Sequence, residues 1–237
     1  MNDTQIQKII KENQEFYDVI GEDYNLRKQG SRPGWSEVGD LLENSLGKKE
    51  SFSVLDIGCG NGRFFEFLQQ RFPKHKIDYV GLDTNKTLST KARKLAVLGK
   101  NTAQIKFLDI FNDLDAVEQK FDLAVGFGVT HHIPGESFRE KWFAKAANLI
   151  NKDSFLIFTF WDFLYKNPEP VENLEEGDYY LGWDDKQVQR YCHFFSHQEL
   201  SRINDVVCEK GFKKVKVFRN DGKDRIKNLY YVFQRRS

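Results

Sequence analysis

The sequence has few residues of the kind that build disulfide frameworks or metal clusters. Its three cysteines, Cys59, Cys192 and Cys208, lie far apart, and none belongs to a C-x-x-C pair. An odd, dispersed set is typical of a reducing compartment rather than of a disulfide-stabilised secreted domain. A zinc or iron–sulfur site requires clustered thiolates or imidazoles. We therefore expect a cytoplasmic protein without a bound metal.

Long apolar runs and an excess of one charge are also missing. No stretch approaches the roughly 20 apolar residues of a membrane span. The N-terminal segment is polar, with apolar residues at helical spacing, and does not resemble a signal peptide. The 36 basic and 35 acidic residues leave a formal charge of +1, which by itself argues neither for nor against nucleic acid. We expect neither a membrane nor DNA as a partner.

After residue 50 the sequence alternates apolar runs with amphipathic stretches, which is typical of an α/β fold. The apolar runs are continuous, as expected for parallel strands covered on both faces. They predict strands at 52–57, 77–82, 105–108, 121–127 and 154–161. Amphipathic spacing and capping residues predict helices at 61–71, 86–98, 136–150 and 196–210, with an irregular link at 111–118.

Two further strand-like runs, KVKVF and LYYVF, end the chain. The turn signal Asp221-Gly222 lies between them and predicts an antiparallel hairpin. We therefore predict an α/β protein with a doubly wound, mostly parallel sheet and a C-terminal antiparallel hairpin. The whole chain, 1–237, is predicted to form one domain, with a helical cap at 1–48 and a substrate-side insertion at 162–195.

The stretch VLDIGCGNGRF joins the first predicted strand to the first predicted helix of this sheet. Gly58, Gly60 and Gly62 allow a sharp turn and a close approach of the backbone to a ligand. A dinucleotide-binding loop reads G-x-G-x-x-G and places a pyrophosphate at a helix N-terminus, whereas these glycines are spaced one residue closer. Asp56 precedes them, and a carboxylate there repels phosphate and attracts an amino group. The turn thus favours S-adenosylmethionine, a cofactor with a cationic ammonium end and no phosphate.

Two more acids end the next two predicted strands at the same edge of the sheet. Asp83 follows the second strand and is expected to accept both ribose hydroxyls, as an acid does about 20 residues on in nucleotide folds. Asp109 follows the third strand and is expected near the exocyclic amine of adenine. Ile110 or Leu82 would then pack against the adenine ring.

In order and spacing, D-x-G-C-G-x-G, G-L-D, L-D and FDLAVGFGVTHHI resemble the class I S-adenosylmethionine-dependent methyltransferases over residues 50–161. The resemblance implies a Rossmann-like fold and polar methyl transfer, because radical use of the cofactor needs a clustered cysteine triad. The N-terminal helix is expected to close over the cofactor, with Tyr17 and Tyr24 near its methionine end. The remaining expected cofactor contacts are Arg63, Thr84, Gly126, Val129 and His132.

Two flanking segments resemble the tRNA wobble-uridine methyltransferases that esterify 5-carboxymethyluridine. The segments are YDVIGEDYNLRKQGSRPGW and RYCHFFSHQEL. The resemblance implies a carboxylate acceptor, which is already ionised at neutral pH and needs positioning rather than a general base. An arginine holds a carboxylate well, so we expect Arg190 or Arg27 to act as the clamp. His131, His193 and Tyr191 are expected to shape the pocket.

Charge at the C-terminal end is consistent with RNA, since residues 200–237 contain 11 Lys or Arg and four Asp or Glu. The same residues also fit a strand with one solvated face. Two other functions remain open: a methyltransferase for a small-molecule carboxylate or amine, and a cofactor-binding relative that activates a partner without catalysis. Some relatives in the resembling family work with a small zinc-binding protein, so a small activating partner is also an expectation.

Overall fold

The computed structural model describes residues 1–95, 101–169, 171, 174–184 and 186–236. Six α-helices are described: α1 Asp3–Arg27, α2 Pro33–Ser45, α3 Arg63–Arg71, α4 Lys86–Leu95, α5 Glu136–Asn148 and α6 His197–Glu209. Nine strands are described: β1 Ser51–Ile57, β2 Lys76–Asp83, β3 Thr102–Phe107, β4 Phe121–Gly126, β5 Ile150–Trp161, β6 Asp178–Trp183, β7 Lys186–His193, β8 Phe212–Asn220 and β9 Asn228–Arg235.

Seven of these strands form one twisted sheet in the order β3-β2-β1-β4-β5-β9-β8. The first five run parallel, and β9 pairs antiparallel with both β5 and β8. This confirms the predicted α/β fold, with its doubly wound, mostly parallel sheet and C-terminal hairpin. The hairpin is not a simple extension of the edge, because the last strand lies inside the sheet and β8 forms the edge.

Helices cover both faces of the sheet, which explains the continuous apolar strands. In β1, Leu55 and Ile57 pack in the core on one face with residues of α1, α5 and α6. Phe52 and Val54 point to the other face and pack with α2 and α3. Since successive side chains of a strand alternate between faces, a strand with both faces buried must be apolar throughout.

The helix predictions agree with the structure within a few residues. Ser196 caps α6 with the predicted capping box, since its hydroxyl accepts from the Glu199 backbone N–H and the Glu199 carboxylate accepts from the Ser196 backbone N–H. The predicted helix 86–98 is observed as α4 to Leu95, and its last residues lie outside the described residues. The link at 111–118 contains only one short 3-10 turn at Leu114–Ala116.

The segment predicted as an insertion contains an element that the sequence analysis missed. Strands β6 and β7 form a separate two-stranded antiparallel hairpin, which packs beside α1 rather than in the main sheet. The assignment of 1–48 as a cap and 162–195 as a substrate-side insertion stays a prediction. Among the described residues, no helix combines the length and apolar content that a bilayer span requires.

Candidate active site

The loops after β1, β2, β3 and β4 meet at one edge of the sheet and enclose a cavity of about 590 Å³ with α1 as its cover. This is the edge at which open parallel sheets bind ligands. Of the predicted cofactor contacts, those that line the cavity are Tyr17, Tyr24, Gly58, Gly60, Asp83, Thr84, Ile110, Val129 and His132. The structure therefore brings together residues from five separate segments of the sequence.

The glycine turn after β1 has the conformation that the sequence predicts. Gly58 and Gly60 have φ of +78° and +55°, a region that side-chain-bearing residues rarely adopt. A Cβ built on Gly60 meets no atom within 4 Å, so this position opens directly into the cavity. The Gly60 backbone N–H donates to the Asp83 carboxylate at 2.7 Å, and the Asn85 N–H donates to its other oxygen at 2.8 Å. These bonds hold the turn against the end of β2.

A smaller cavity of about 310 Å³ adjoins the glycine turn and contains Asp56, Arg63 and Tyr24. A carboxylate and a guanidinium lining one small space match the ammonium and carboxylate of an amino acid. Asp56 is 2% exposed, and its carboxylate accepts from the Tyr79 hydroxyl at 2.6 Å. Burial raises the pKa of Asp56 to about 7, which a bound ammonium group would reverse. The arrangement fits the methionine end of S-adenosylmethionine.

A hydrogen-bond chain links α1 to the strand end after β4. The Tyr17 hydroxyl lies 2.9 Å from His132 Nε2, and His132 Nδ1 lies 2.9 Å from the Tyr191 backbone carbonyl. A carbonyl only accepts, so Nδ1 carries the proton and Nε2 accepts from Tyr17. Asn13 bonds both the N–H and the carbonyl of Tyr191, at 2.8 and 3.3 Å. Asn13 was not predicted, because an isolated asparagine on a helix gives no signal in the sequence.

Burial and nearby positive charge keep this pair from titrating near neutral pH. Burial, with a further contribution from Arg190, lowers the pKa of His132 to about 3. Burial also raises the pKa of Tyr17 well above its usual value. The hydroxyl is therefore protonated and the imidazole neutral under ordinary conditions.

A second, larger cavity of about 1310 Å³ joins the first one at Tyr17, Tyr24 and Gly128. Among the described residues that line it, seven are Lys or Arg and two are acids. The cations are Arg27, Lys28, Arg32, Arg63, Lys166, Arg190 and Lys227. The sequence analysis identified three of them, Arg27, Arg63 and Arg190. The other four lie in loops and at the ends of helices, where the spacing of residues in the sequence does not indicate which way a side chain points.

Both acids in this cavity are already bonded to other groups. The Asp221 carboxylate accepts from the Gly34 backbone N–H at 2.9 Å and from Asn228 and Tyr230 at 2.7 and 2.6 Å. Asp184 pairs with Arg27. The remaining cations therefore leave the cavity strongly positive, and burial with neighbouring cations lowers the pKa of Lys28 and of Lys227.

The two predicted clamp arginines have different surroundings. Arg27 is paired with Asp23 and Asp184, and about half of its side chain is exposed. Arg190 is 6% exposed, and its guanidinium lies 4.9, 5.5 and 5.8 Å from the rings of Phe16, Trp161 and Trp183. Its Nε and Nη1 atoms are buried without a partner among the described residues. Arg190 therefore has two buried nitrogen atoms with no partner among the described residues, whereas Arg27 is already held by two carboxylates.

His193 and Tyr191, which the sequence predicts to shape the acceptor pocket, do not line the cavity that contains Arg190. Both side chains point away from Arg190 and bond the buried Asp178 carboxylate, His193 through Nδ1 at 2.7 Å. His193 Nε2 faces Glu199 at 2.8 Å. The reason is the alternation of β7, since residues one apart in a strand face opposite sides. This rule, applied to the sequence, separates Arg190 from Tyr191 and His193.

Three residues that the sequence predicts to contact the cofactor do not line the cavity but shape the backbone around it. Asp109 accepts from the backbone N–H groups of Phe111 and Asn112, at 3.0 and 3.2 Å, and so shapes the loop after β3. Gly62 caps α3 with φ of +84°. Gly126 ends β4, where a Cβ would lie 2.9 Å from the Phe158 ring. Their direct contact with the cofactor stays a prediction.

One group of possible metal ligands lies between the two cavities. Ligand atoms of His131, His132 and Cys192 lie within 4.8 Å of one another. Both nitrogens of His132 already have partners, and positive charge from Arg190 acts on all three residues. These features oppose a bound cation, and the expected absence of a metal stays a prediction.

Comparison with known proteins agrees with this geometry. A family profile described as "Methyltransferase domain" matches residues 28–216. Juvenile hormone acid O-methyltransferase of Bombyx mori is 24% identical over 211 residues, which are 88% of this chain and 66% of that protein. The tRNA1(Val) (adenine(37)-N6)-methyltransferase of Pedobacter heparinus is 26% identical over 186 residues, 72% of this chain and 74% of that one.

Solved structures share the fold. An S-adenosylmethionine-dependent methyltransferase from Clostridium acetobutylicum superposes with a TM-score of 0.64 and 14% identity, covering 93% of this chain and 99% of that one. The 1,6-didemethyltoxoflavin-N1-methyltransferase of Burkholderia thailandensis, with bound S-adenosylhomocysteine, gives 0.64 and 14%, covering 100% and 92%. The chain therefore belongs to the methyltransferase domain family and has the class I fold, which confirms the fold, the enzyme class and the methyl donor that the sequence predicts.

Proposed function

We propose that this methyltransferase esterifies a carboxylate, and that its leading acceptor is 5-carboxymethyluridine at the wobble position of a tRNA. The observation that supports a carboxylate acceptor is the position of Arg190. Its buried guanidinium has two nitrogen atoms, Nε and Nη1, without a partner among the described residues, and it lines a cavity that joins the cofactor cavity. Removing a charged group from water without a partner is unfavourable. An anionic acceptor supplies that partner at the place where the methyl group is needed.

The charge of the whole acceptor cavity supports the same acceptor class. Lys28, Arg32, Lys166 and Lys227 surround the space next to Arg190, and the pKa of Lys28 and Lys227 is lowered by burial and by their positive neighbours. An acceptor anion would relieve this repulsion, whereas a protonated amine would add to it. The cavity thus favours a carboxylate over an amine among the acceptors left open by the sequence.

The residues at the junction of the two cavities support an acceptor that needs no deprotonation. Tyr17 keeps its proton, His132 has its Nε2 lone pair bonded to Tyr17, and the pKa of His131 is held well below its usual value by burial and by His132. None of them is a strong base near neutral pH. When bound, S-adenosylmethionine supplies an electrophilic methyl group: a carboxylate oxygen forms the new C–O bond, the C–S electron pair stays on sulfur, and no proton is released.

Two observations favour tRNA as the carrier of this carboxylate. The flanking segments resemble the wobble-uridine family, and the surplus of Lys and Arg after residue 200 suits a phosphate backbone. The second candidate is a small-molecule carboxylate, which the Bombyx mori relative supports because its name gives an acid as acceptor. A small activating partner protein stays a prediction.

The test is to incubate the protein with methyl-labelled S-adenosylmethionine and either purified tRNA or a small-molecule extract. We expect label in tRNA as a base-labile methyl ester on a single modified uridine. Label on small acids alone would support the second candidate, and label on amines or no label in either fraction would reject the carboxylate.

A matched pair of arginine variants tests the assigned clamp. Arg190→Gln removes the charge and should lower kcat/KM for the acceptor at least about 100-fold, because it removes a charge-assisted contact worth roughly 3 kcal/mol. Arg27→Gln removes an exposed ion pair of the kind worth less than about 1 kcal/mol, so it should change kcat/KM less than about fivefold. Equal losses in the two variants would contradict the assignment of Arg190.

A further inference from the structure

Three buried side chains around the acceptor cavity have polar atoms without a partner among the described residues. They are Arg190 with Nε and Nη1, Trp161 with Nε1, and His131 with Nδ1. The three residues are 6, 9 and 5% exposed. Buried polar atoms are almost always hydrogen-bonded in folded proteins. Three exceptions in one cavity therefore indicate groups that are kept for a ligand.

The three residues are also neighbours. The rings of His131 and Trp161 lie 5.0 Å apart between centroids, and the Arg190 guanidinium carbon lies 5.5 Å from the Trp161 ring. All three line the same cavity. They come from the loop after β4, the end of β5 and strand β7, so only the folded chain brings them together.

The chemistry of these atoms selects a ligand with oxygen lone pairs. An indole N–H and a guanidinium N–H only donate. Lys166 and Lys227 lie 5.4 and 5.6 Å from the same indole ring, so the surroundings are positive. An acceptor that presents N–H groups would place donor against donor, whereas a carboxylate presents two oxygens with several lone pairs.

We propose that the Trp161 indole N–H binds the acceptor carboxylate together with Arg190, and so selects carboxylates over amines and amides. This inference rests on the proposed carboxylate acceptor. Trp161 is not among the site residues that the sequence predicts. Since two donors from different strands fix two directions in space, they orient the carboxylate as well as bind it.

The test uses the indole N–H signals of protein labelled with ¹⁵N-tryptophan and saturated with S-adenosylhomocysteine. The chain has four tryptophans, and Trp161→Phe assigns the Trp161 signal while keeping an aromatic ring in place. Sodium acetate is the carboxylate probe, and acetamide and sodium chloride at the same concentrations are the controls. Trp142 is the internal reference, because its N–H already donates to the Ile110 carbonyl at 2.7 Å.

We expect acetate to move the Trp161 N–H proton downfield in a saturable way, while acetamide and chloride leave it in place and Trp142 does not shift. The inference is overturned if acetate at saturation leaves the Trp161 signal unmoved, or if acetamide or chloride moves it equally. The readout is separate from the identity of the natural acceptor. If acetate shifts the Trp161 signal but tRNA receives no methyl label in the labelling assay, the tRNA proposal is rejected and the role of Trp161 stands.

Kinetics with the acceptor found by labelling give a second measurement. A carboxylate loses its charge as the ester forms, so donors to it bind the ground state more strongly than the transition state. Trp161→Phe should therefore raise KM for the acceptor about tenfold and leave kcat equal to or above that of the wild type. A fall in kcat at constant KM would contradict a binding role.

Discussion

Replacing Asp56 with Asn should make the protein more stable at alkaline pH and at the same time unable to bind its cofactor. Asp56 is buried at the end of β1, and its carboxylate accepts from the Tyr79 hydroxyl. Burial raises its pKa to about 7, whereas in the unfolded chain an aspartate has a pKa near ~3.9. Asn is neutral at every pH, and its side-chain oxygen still accepts from Tyr79.

The sign and size of the effect follow from proton linkage. Between about pH 4 and about pH 7 the folded protein keeps a proton on Asp56 that the unfolded chain has lost. The free energy of unfolding of the wild type therefore falls as pH rises through this window, by about 1.4 kcal/mol per pH unit. Over roughly three units this sums to about 4 kcal/mol, and above about pH 7 the loss is complete. Asp83 also has a raised pKa because it is buried. Since Asp83 is present in both proteins, its contribution to the pH dependence largely cancels in the stability difference between them.

The assay is urea unfolding of both proteins without cofactor at about pH 5 and about pH 8. The stability of Asp56→Asn relative to wild type should increase by about 3 kcal/mol between these two conditions. Calorimetry with S-adenosylmethionine should then show binding to the wild type and none to the variant. A stability difference that stays constant with pH would refute the buried, proton-binding carboxylate.

Two further predictions concern the cavity walls. Gly60→Ala places a Cβ where no atom lies within 4 Å and where φ is +55°. The substitution should lower the free energy of unfolding by only about 1 kcal/mol, but it should weaken cofactor binding at least about tenfold, as measured by calorimetry. An unchanged affinity would argue that the cofactor does not approach this turn. Tyr17→Phe should lower the rate of methyl transfer without changing the shape of the pH–rate profile. The raised pKa of Tyr17 and the lowered pKa of His132 keep both groups from transferring protons near neutral pH. Loss of a titration step in the variant would show that the pair acts as a base.

The sequence predicts the main sheet and the glycine turn because these depend on local patterns. Strands buried on both faces leave continuous apolar runs, and a turn that requires positive φ requires glycine. The hairpin of β6 and β7 leaves no such pattern, because contacts far along the chain hold it in place. The Tyr180 hydroxyl bonds Glu12 at 2.6 Å, and Asn13 bonds Tyr191 across 178 positions.

The candidate site divides in the same way. Residues at strand ends, such as Gly60 and Asp83, could be placed together from the sequence, and they do line one cavity, because parallel strands bring their carboxyl ends to one edge of the sheet. Arg190 was found through resemblance, and its burial among aromatic rings required the structure. Lys166 and Lys227 could not be found, since a lysine in a loop has no preferred direction in a sequence.

The interior position of β9 has a consequence for synthesis of the protein. Because β9 separates β5 from β8, the nascent chain cannot complete its sheet until residues beyond 228 have left the ribosome. Until then β5 has an unpaired edge, and its apolar residues are open to intermolecular pairing. The sheet is therefore completed only after β9 has been synthesised, and a ribosome that stalls before β9 would present an incomplete sheet with an exposed apolar edge to chaperones.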